Sequence, residues 1–285
     1  MNTGLTLRTA QIRDGVATVR AGATLLYDSD PDEEERETHL KASALLGALE
    51  AAARDAAAAE RGASGPEPEP EPEPERPGDG LKVLLVDHED SFVNTLADYF
   101  RQHGARVVTL RHGFPVRLLD EHAPDLVVLS PGPGRPVDFA TGALLDALDA
   151  RGLPVFGVCL GLQAMVEHAG GALDLLPEPS HGKPGQVKVT GGGLFEGLAD
   201  EFTAARYHSL HATPDRVKGF QVTAVTGDVV MAIEDAERRR WAVQFHPESI
   251  LTAAGGAGHA IVANVLRLCR RPAPSFRSPS ANRPE

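Results

Sequence analysis

The stretch VFGVCLGLQAM, residues 155 to 165, carries the reading of the fold. VFGV is an apolar run short enough for a buried strand. LGLQAMVEH then takes up helical spacing, and Gly170 and Gly171 close it. A buried strand feeding straight into a helix is half of a crossover unit, and crossover units build parallel sheets with helices on both faces. Ligands of such sheets gather at the carboxyl ends of the strands. Cys159 falls at that junction. Free cysteine is also among the most buried residue types, so a packing role and a chemical one both stand open here.

Working outward, the same alternation repeats. LKVLLVD (81–87), ARVVTL (105–110) and DLVVLS (125–130) read as strands, DSFVNTLADYFRQHG (90–104) and DFATGALLDALDARG (138–152) as helices. Beyond residue 185 come shorter strands, QVKVT, EFTAARY, FQVTAV, VVMAIED and WAVQF, which extend or flank the sheet, then a last helix, GHAIVANVLRLC. The fold class is therefore α/β, a doubly wound, mostly parallel sheet with flanking helices. Upstream, GPEPEPEPEPERPGDG (65–80) places proline at alternate positions among glutamates, which blocks helix and sheet ladders and favours an extended spacer. Before it, ATVRAGATLLY reads as a strand and the segment from Asp28 to Glu60 as one long helix, capped by Asp30 with Pro31 at its first position. The expected organisation is a short remnant at 1–62, a linker at 63–80, the main domain at 81–271 and a disordered tail at 272–285.

Composition narrows the partners. The 285 residues carry a formal charge of −12, which disfavours nucleic acid and anionic membrane surfaces. No run of eighteen apolar residues is present and the first residues have no apolar signal core. Two cysteines make no disulfide framework. A soluble, cytoplasmic protein is expected.

Gly157 and Gly161 flank Cys159 as G-x-C-x-G, a thiol form of the nucleophile elbow, in which a sharp strand-to-helix turn leaves no room for a Cβ. The helix start beneath the sulfur favours thiolate, and the N–H of Leu160 is free to meet an oxyanion. AVQFHPES (242–249) offers the base and its orienter. His246 and Glu248, two apart, would project to one side of an extended chain, with Pro247 stiffening the segment. LSPGPGRP (129–136) ends another strand; Gly132 and Gly134 let backbone approach a ligand, and the loop could supply a second oxyanion donor. The pair His208 and His211 lacks a further ligand cluster for metal. His88 and His103 read as solvated loop or helix ends, and Cys269 as packing.

DSFVNTL, SPGPGRP, GVCLGLQ, RYHSL and QFHPES, in this order, resemble the class I (triad-type) glutamine amidotransferases, more narrowly the glutaminase component of anthranilate synthase. The resemblance implies Cys159 as nucleophile, His246 and Glu248 as its catalytic pair, and Gly132, Pro133, Gly134, Gln163, Ser209 and Leu210 as the glutamine-holding positions. No cofactor is implied for the glutaminase. His181, Gly182 and Lys183 match a family loop facing the partner domain, with Pro184 departing from the usual Thr or Ser. The first sixty residues resemble the C-terminal end of chorismate-utilising synthases. That implies Arg8, Gly22, Ala23 and Thr24 as a chorismate-binding remnant, Thr24 replacing the usual Gly, and Glu37 as one of two Mg²⁺ carboxylates. One carboxylate makes no selective Mg²⁺ site, so Mg²⁺ belongs only to a complete synthase domain, and synthase activity is not expected from this chain alone. The implied function is hydrolysis of L-glutamine with ammonia delivered to a chorismate-utilising synthase chain, most simply an anthranilate synthase component I. Alternatives are the amidotransferase of an aminodeoxychorismate or aminodeoxyisochorismate synthase, or a non-catalytic tethered module.

Overall fold

The computed structural model describes residues 9–13, 16–20, 35, 47 and 76–270. The chain divides into two units, Met1–Glu73 and Pro74–Glu285. In the first, β1 (Thr9–Arg13) and β2 (Val16–Arg20) form an antiparallel hairpin with Ile12 opposite Ala17. β2 overlaps the strand read at ATVRAGATLLY, whereas β1 had no separate reading. Glu35 and Gly47, within the segment read as a long helix, are helical. Arg8, Gly22, Ala23, Thr24 and Glu37 lie outside the described residues.

The second unit is a nine-stranded mixed sheet. Its parallel half has β4 (Arg106–Arg111), β3 (Lys82–Asp87), β5 (Leu126–Leu129), β6 (Val155–Val158) and β11 (Arg240–Val243) side by side in that order. The antiparallel half continues through β10 (Val229–Asp235), β9 (Gln221–Thr226), β7 (Asp174–Val189) and β8 (Glu201–His211). The later, shorter strands thus extend the sheet rather than form a separate layer.

Both faces of the parallel half are covered, which is why its strands read as unbroken apolar runs. Val83 and Leu85 face one core with Leu96 and Phe100 of α1 (Val93–Gln102) and Ile261 and Leu266 of α6 (Ala257–Arg270). Leu84 and Val86 face the other with Leu145 and Leu148 of α3 (Thr141–Asp149) and Leu162 and Met165 of α4 (Leu160–His168). Two short helices, α2 (Arg117–His122) and α5 (Ile250–Ala253), were not legible as helices. At the end of the Pro/Glu stretch, residues 76–80 fold onto the domain: Gly78 N–H donates to His103 O at 2.8 Å and Arg270 Nε to Pro77 O at 2.6 Å.

β7 is the largest departure from expectation. QVKVT was read as a strand of its own, but the strand runs sixteen residues, through PEPSHGKPG. Proline cannot donate to a ladder, so such a strand survives by slipping register at bulges. The β7–β8 pairing slips twice, between Leu175 and Ser180 and between His181 and Lys183.

Candidate active site

β6 ends at Val158, and Cys159 turns the chain into α4 with φ 52° and ψ −99°, a conformation costly for a residue with a Cβ. The surroundings enforce it. A Cβ on Gly157 would lie 2.6 Å from the Gly161 carbonyl carbon, and one on Gly161 would lie 2.7 Å from Leu129 O. Both flanking glycines are therefore required by backbone crowding, as the elbow reading anticipates. Cys159 N–H is fastened to Val243 O of β11 at 2.8 Å. Leu160 opens α4, where the first N–H groups have no intrahelical acceptor.

His246 lies two residues past Gln244, beyond the end of β11. It pairs with Ala205 in an isolated antiparallel bridge, and the extended chain expected from the spacing stops there: Pro247 and Glu248 form a turn closed by Ser249 N–H to His246 O at 3.2 Å. The turn, rather than a strand's alternation, brings the two side chains together: His246 Nδ1 meets Glu248 Oε1 at 2.8 Å, with 1% and 0% of the side chains exposed. The backbone here is pinned on both sides. His246 N–H donates to Ala205 O at 3.0 Å, while Thr252 Oγ1 donates to His246 O at 2.6 Å and accepts from Ala205 N–H at 2.9 Å. Phe92 and Tyr207 meet the imidazole ring edge-on at centroid distances of 5.1 and 4.9 Å. Nε2 is buried with no hydrogen-bond partner. Burial alone would lower the basicity of His246, but Cys159 and Glu248 together hold its pKa well above the ordinary 6.5.

A cleft of about 490 Å³ opens over these groups. Cys159 and His246 line it together with Gly132, Pro133, Gly134, Gln163, Ser209 and Leu210. The structure so gathers these expected site positions at one place, with Glu248 behind His246 and Leu160 behind Cys159. Residues Glu89 to Phe92, Tyr207 and His208 also line the cleft and had been given no role. The DSF of DSFVNTL was the available signal, since Asp90 Oδ1 accepts Phe92 N–H at 2.7 Å and turns the chain toward the cleft.

His88 is corrected. It is 1% exposed, hydrogen-bonded through its N–H to Ser130 Oγ at 2.9 Å, and burial pushes its pKa down to about 4. The glycine loop lies directly on it: a Cβ at Gly132 would come within 2.8 Å of His88 Cβ and O. His208 is buried too, its Nδ1 donating to Leu210 O at 2.9 Å, with burial and then Arg206 lowering its pKa to about 3. His211 Nδ1 faces Asp174 O at 3.1 Å. Cys269 packs as expected; its thiol donates to Asp125 O at 3.1 Å, and burial raises its pKa to about 11. A thiol beside an oriented imidazole, with free backbone N–H groups at a helix start, is equipped for acyl transfer.

The sequence model described as glutamine amidotransferase class-I matches residues 84–266. This chain belongs to the class I glutamine amidotransferases. A second model, described as chorismate binding enzyme, matches residues 1–47. Anthranilate synthase of Azospirillum brasilense is 57% identical over 268 residues, covering 93% of this chain and 35% of that protein. This amidotransferase chain thus spans about a third of that relative's length. Anthranilate synthase component II of Haloarcula marismortui is 40% identical over 196 residues, covering 66% of this chain and 92% of that protein. A glutamine amidotransferase of known structure from Thermotoga maritima shares the fold with TM-score 0.52 at 16% identity, covering 66% of this chain and 96% of that one. Among the described residues of this amidotransferase, no helix is long and apolar enough to cross a membrane, and no group of three or more His, Cys, Asp or Glu could hold a metal ion.

Proposed function

We propose that the chain hydrolyses L-glutamine through a thioester on Cys159 and delivers the ammonia to a chorismate-utilising synthase, anthranilate synthase being the reading the relatives favour. The observation that carries it is the buried, unpartnered Nε2 of His246 beside Cys159, with Nδ1 held by Glu248. With its pKa held well above 6.5, His246 carries on Nε2 the proton taken from the thiol, and Sγ, as thiolate, bonds to the side-chain carbonyl carbon of glutamine. The oxygen becomes an oxyanion opposite the N–H of Leu160 and the loop of Gly132 to Gly134. As the C–N bond breaks, His246 returns the proton to the departing nitrogen, which leaves as ammonia. Water, deprotonated by His246, attacks the thioester; the C–S bond breaks with its electron pair on Sγ, glutamate departs, and the thiolate is left facing the protonated His246 with which the cycle began. Glu248 keeps the imidazole proton on Nδ1 and steadies the imidazolium. Gln163, Ser209 and Leu210 hold the substrate's other groups.

The acceptor rests on different support. One alignment to the Azospirillum anthranilate synthase runs across both units of this chain, and residues 1–47 match the chorismate-binding family. An anthranilate synthase component I supplies the chorismate chemistry in this reading.

The test is glutamate release by the purified chain, wild type beside Cys159→Ala, alone and with an added anthranilate synthase component I. Cys159-dependent release, raised by the synthase, is the expected result. A folded wild type releasing no more glutamate than Cys159→Ala in either condition sinks the catalytic reading.

A further inference from the structure

Gln244 lies between β11 and the His246 turn, is fully buried, and has no role in the mechanism above. Its carboxamide spans the space between two residues of the site. Gln163 Nε2 lies 3.3 Å from Gln244 Oε1, and Gln244 Nε2 lies 3.5 Å from Cys159 Sγ. We infer that Gln244 is a dedicated hydrogen-bond donor to the Cys159 sulfur, held in the donating orientation by Gln163 and the carbonyl of Leu210.

The orientation follows from hydrogen-bond chemistry. A side-chain amide can present either its NH₂ or its oxygen, so a contact to sulfur alone leaves the direction open. The far end of this chain closes it. Gln163 Nε2 also lies 3.1 Å from Leu210 O. A backbone carbonyl only accepts, so Gln163 turns its NH₂ toward Leu210. Its second N–H then reaches Gln244, which must answer with oxygen. That leaves the NH₂ of Gln244 facing Sγ. Leu210 O is itself fixed from the opposite side by His208 Nδ1 at 2.9 Å. Direction therefore runs from one obligate acceptor through two amides to the nucleophile, all of them buried.

The chemical value lies in the charge on sulfur. A donor aimed at Sγ stabilises the anion more than the thiol, and more strongly in a water-poor site. Gln163 lines the cleft while Gln244 does not. The relay consequently joins a group that faces the substrate to one that faces the nucleophile. A ligand competing for the NH₂ of Gln163 would loosen the hold on Gln244, so the donor would respond to occupancy of the cleft.

This inference rests on Cys159 as the nucleophile, and the experiment separates the two. Full-length chain is treated with iodoacetamide across pH 5 to 10, roughly the span over which a free thiol ionises. Alkylation is followed at the Cys159 peptide by mass spectrometry in wild type, Gln244→Leu and Gln163→Leu. Gln244→Leu is expected to alkylate roughly tenfold more slowly at pH 7, its profile displaced upward by about one pH unit. Its glutaminase kcat falls while KM for glutamine stays within about threefold, since Gln244 touches no substrate. Gln163→Leu frees Gln244 to turn and shows a smaller displacement in the same direction. If Gln244→Leu fails to fold, Gln244→Glu keeps the volume and places an acceptor at the sulfur, and the same upward displacement is expected. A wild-type alkylation profile in a folded Gln244 variant overturns the relay and leaves Cys159 untouched. A wild type whose Cys159 never alkylates overturns the nucleophile instead.

Discussion

Replacing Glu248 by Gln tests the arrangement at its most buried point. The carboxylate has no exposed surface, and its Oε1 sits 2.8 Å from His246 Nδ1. Glutamine fits the same space but offers an NH₂ as readily as an oxygen. If the NH₂ faces Nδ1, the imidazole proton moves to Nε2, and the ring can no longer take a proton from Cys159. If the oxygen faces Nδ1, the right tautomer survives but the imidazolium loses its counter-charge. Hydrogen bonds to charged groups contribute about 1.5–3 kcal/mol, or about 10- to 150-fold in rate, and a wrong tautomer adds to that. The expected kcat for glutamate release, read with a coupled dehydrogenase, is at least tenfold below wild type, with KM changed far less. Stability supplies an independent readout. The folded pKa of His246 is raised above its unfolded value, so its contribution is fully present below pH 6.5 and is lost as pH climbs through the folded pKa. The Tm gap between wild type and Glu248→Gln should be widest in the acid range where both fold, and should narrow on the alkaline side. A kcat within about threefold of wild type, or a gap that widens with pH, would refute the reasoning.

Three further outcomes follow from the geometry. Gly161→Ala puts a Cβ 2.7 Å from Leu129 O, so the elbow must shift; a loss of about 1–3 kcal/mol and a collapse of glutaminase activity are expected from denaturant unfolding and glutamate release. Thr252→Val strips the Ala205 N–H of its acceptor and His246 O of one donor. It should cost about 1–3 kcal/mol and lower kcat, checked by calorimetry and kinetics. His88 and His208 are held neutral, with folded pKa values of about 4 and about 3. Their share of the stability is therefore complete above pH 6.5 and lost as pH falls toward those values, so His208→Gln should flatten the fall of Tm over that range.

The parallel half of the sheet and the elbow were legible because each depends on local chemistry. Strands buried on both faces must be continuously apolar, and a tight turn must carry glycine wherever a Cβ would strike backbone. His246 and Glu248 were legible as a pair, but through the wrong geometry, because alternation on a strand and a proline turn both bring residues two apart together. β7 was not legible. Its prolines and glycines argue for loop, and only the partner strand β8, distant in sequence, can hold such a segment extended through two slips of register. His88 was misread for a similar reason. Nothing in VDHEDS announces that a glycine loop some forty residues later settles against the Cβ and backbone of that residue. Gln244 and Thr252 were invisible as contributors, since each acts on groups that tertiary contact alone brings near.

β11 is the one strand in the sheet with a parallel neighbour on one side and an antiparallel neighbour on the other: it pairs in parallel with β6 and antiparallel with β10. The thiol follows β6 and the imidazole follows β11, so the two reactive groups hang from adjacent rungs, with Val243 opposite Val158. Strand spacing, about 4.8 Å, becomes the ruler for the chemistry, and a single-residue slip would swing the following side chain to the other face. β8, last in the sheet order, closes the measurement from the other side: its Ala205 fastens the His246 backbone and its Tyr207 meets the imidazole. The base is therefore gauged twice, by the rung it follows and by a strand at the far edge of the sheet, and a change of register in either would carry it out of step with the nucleophile.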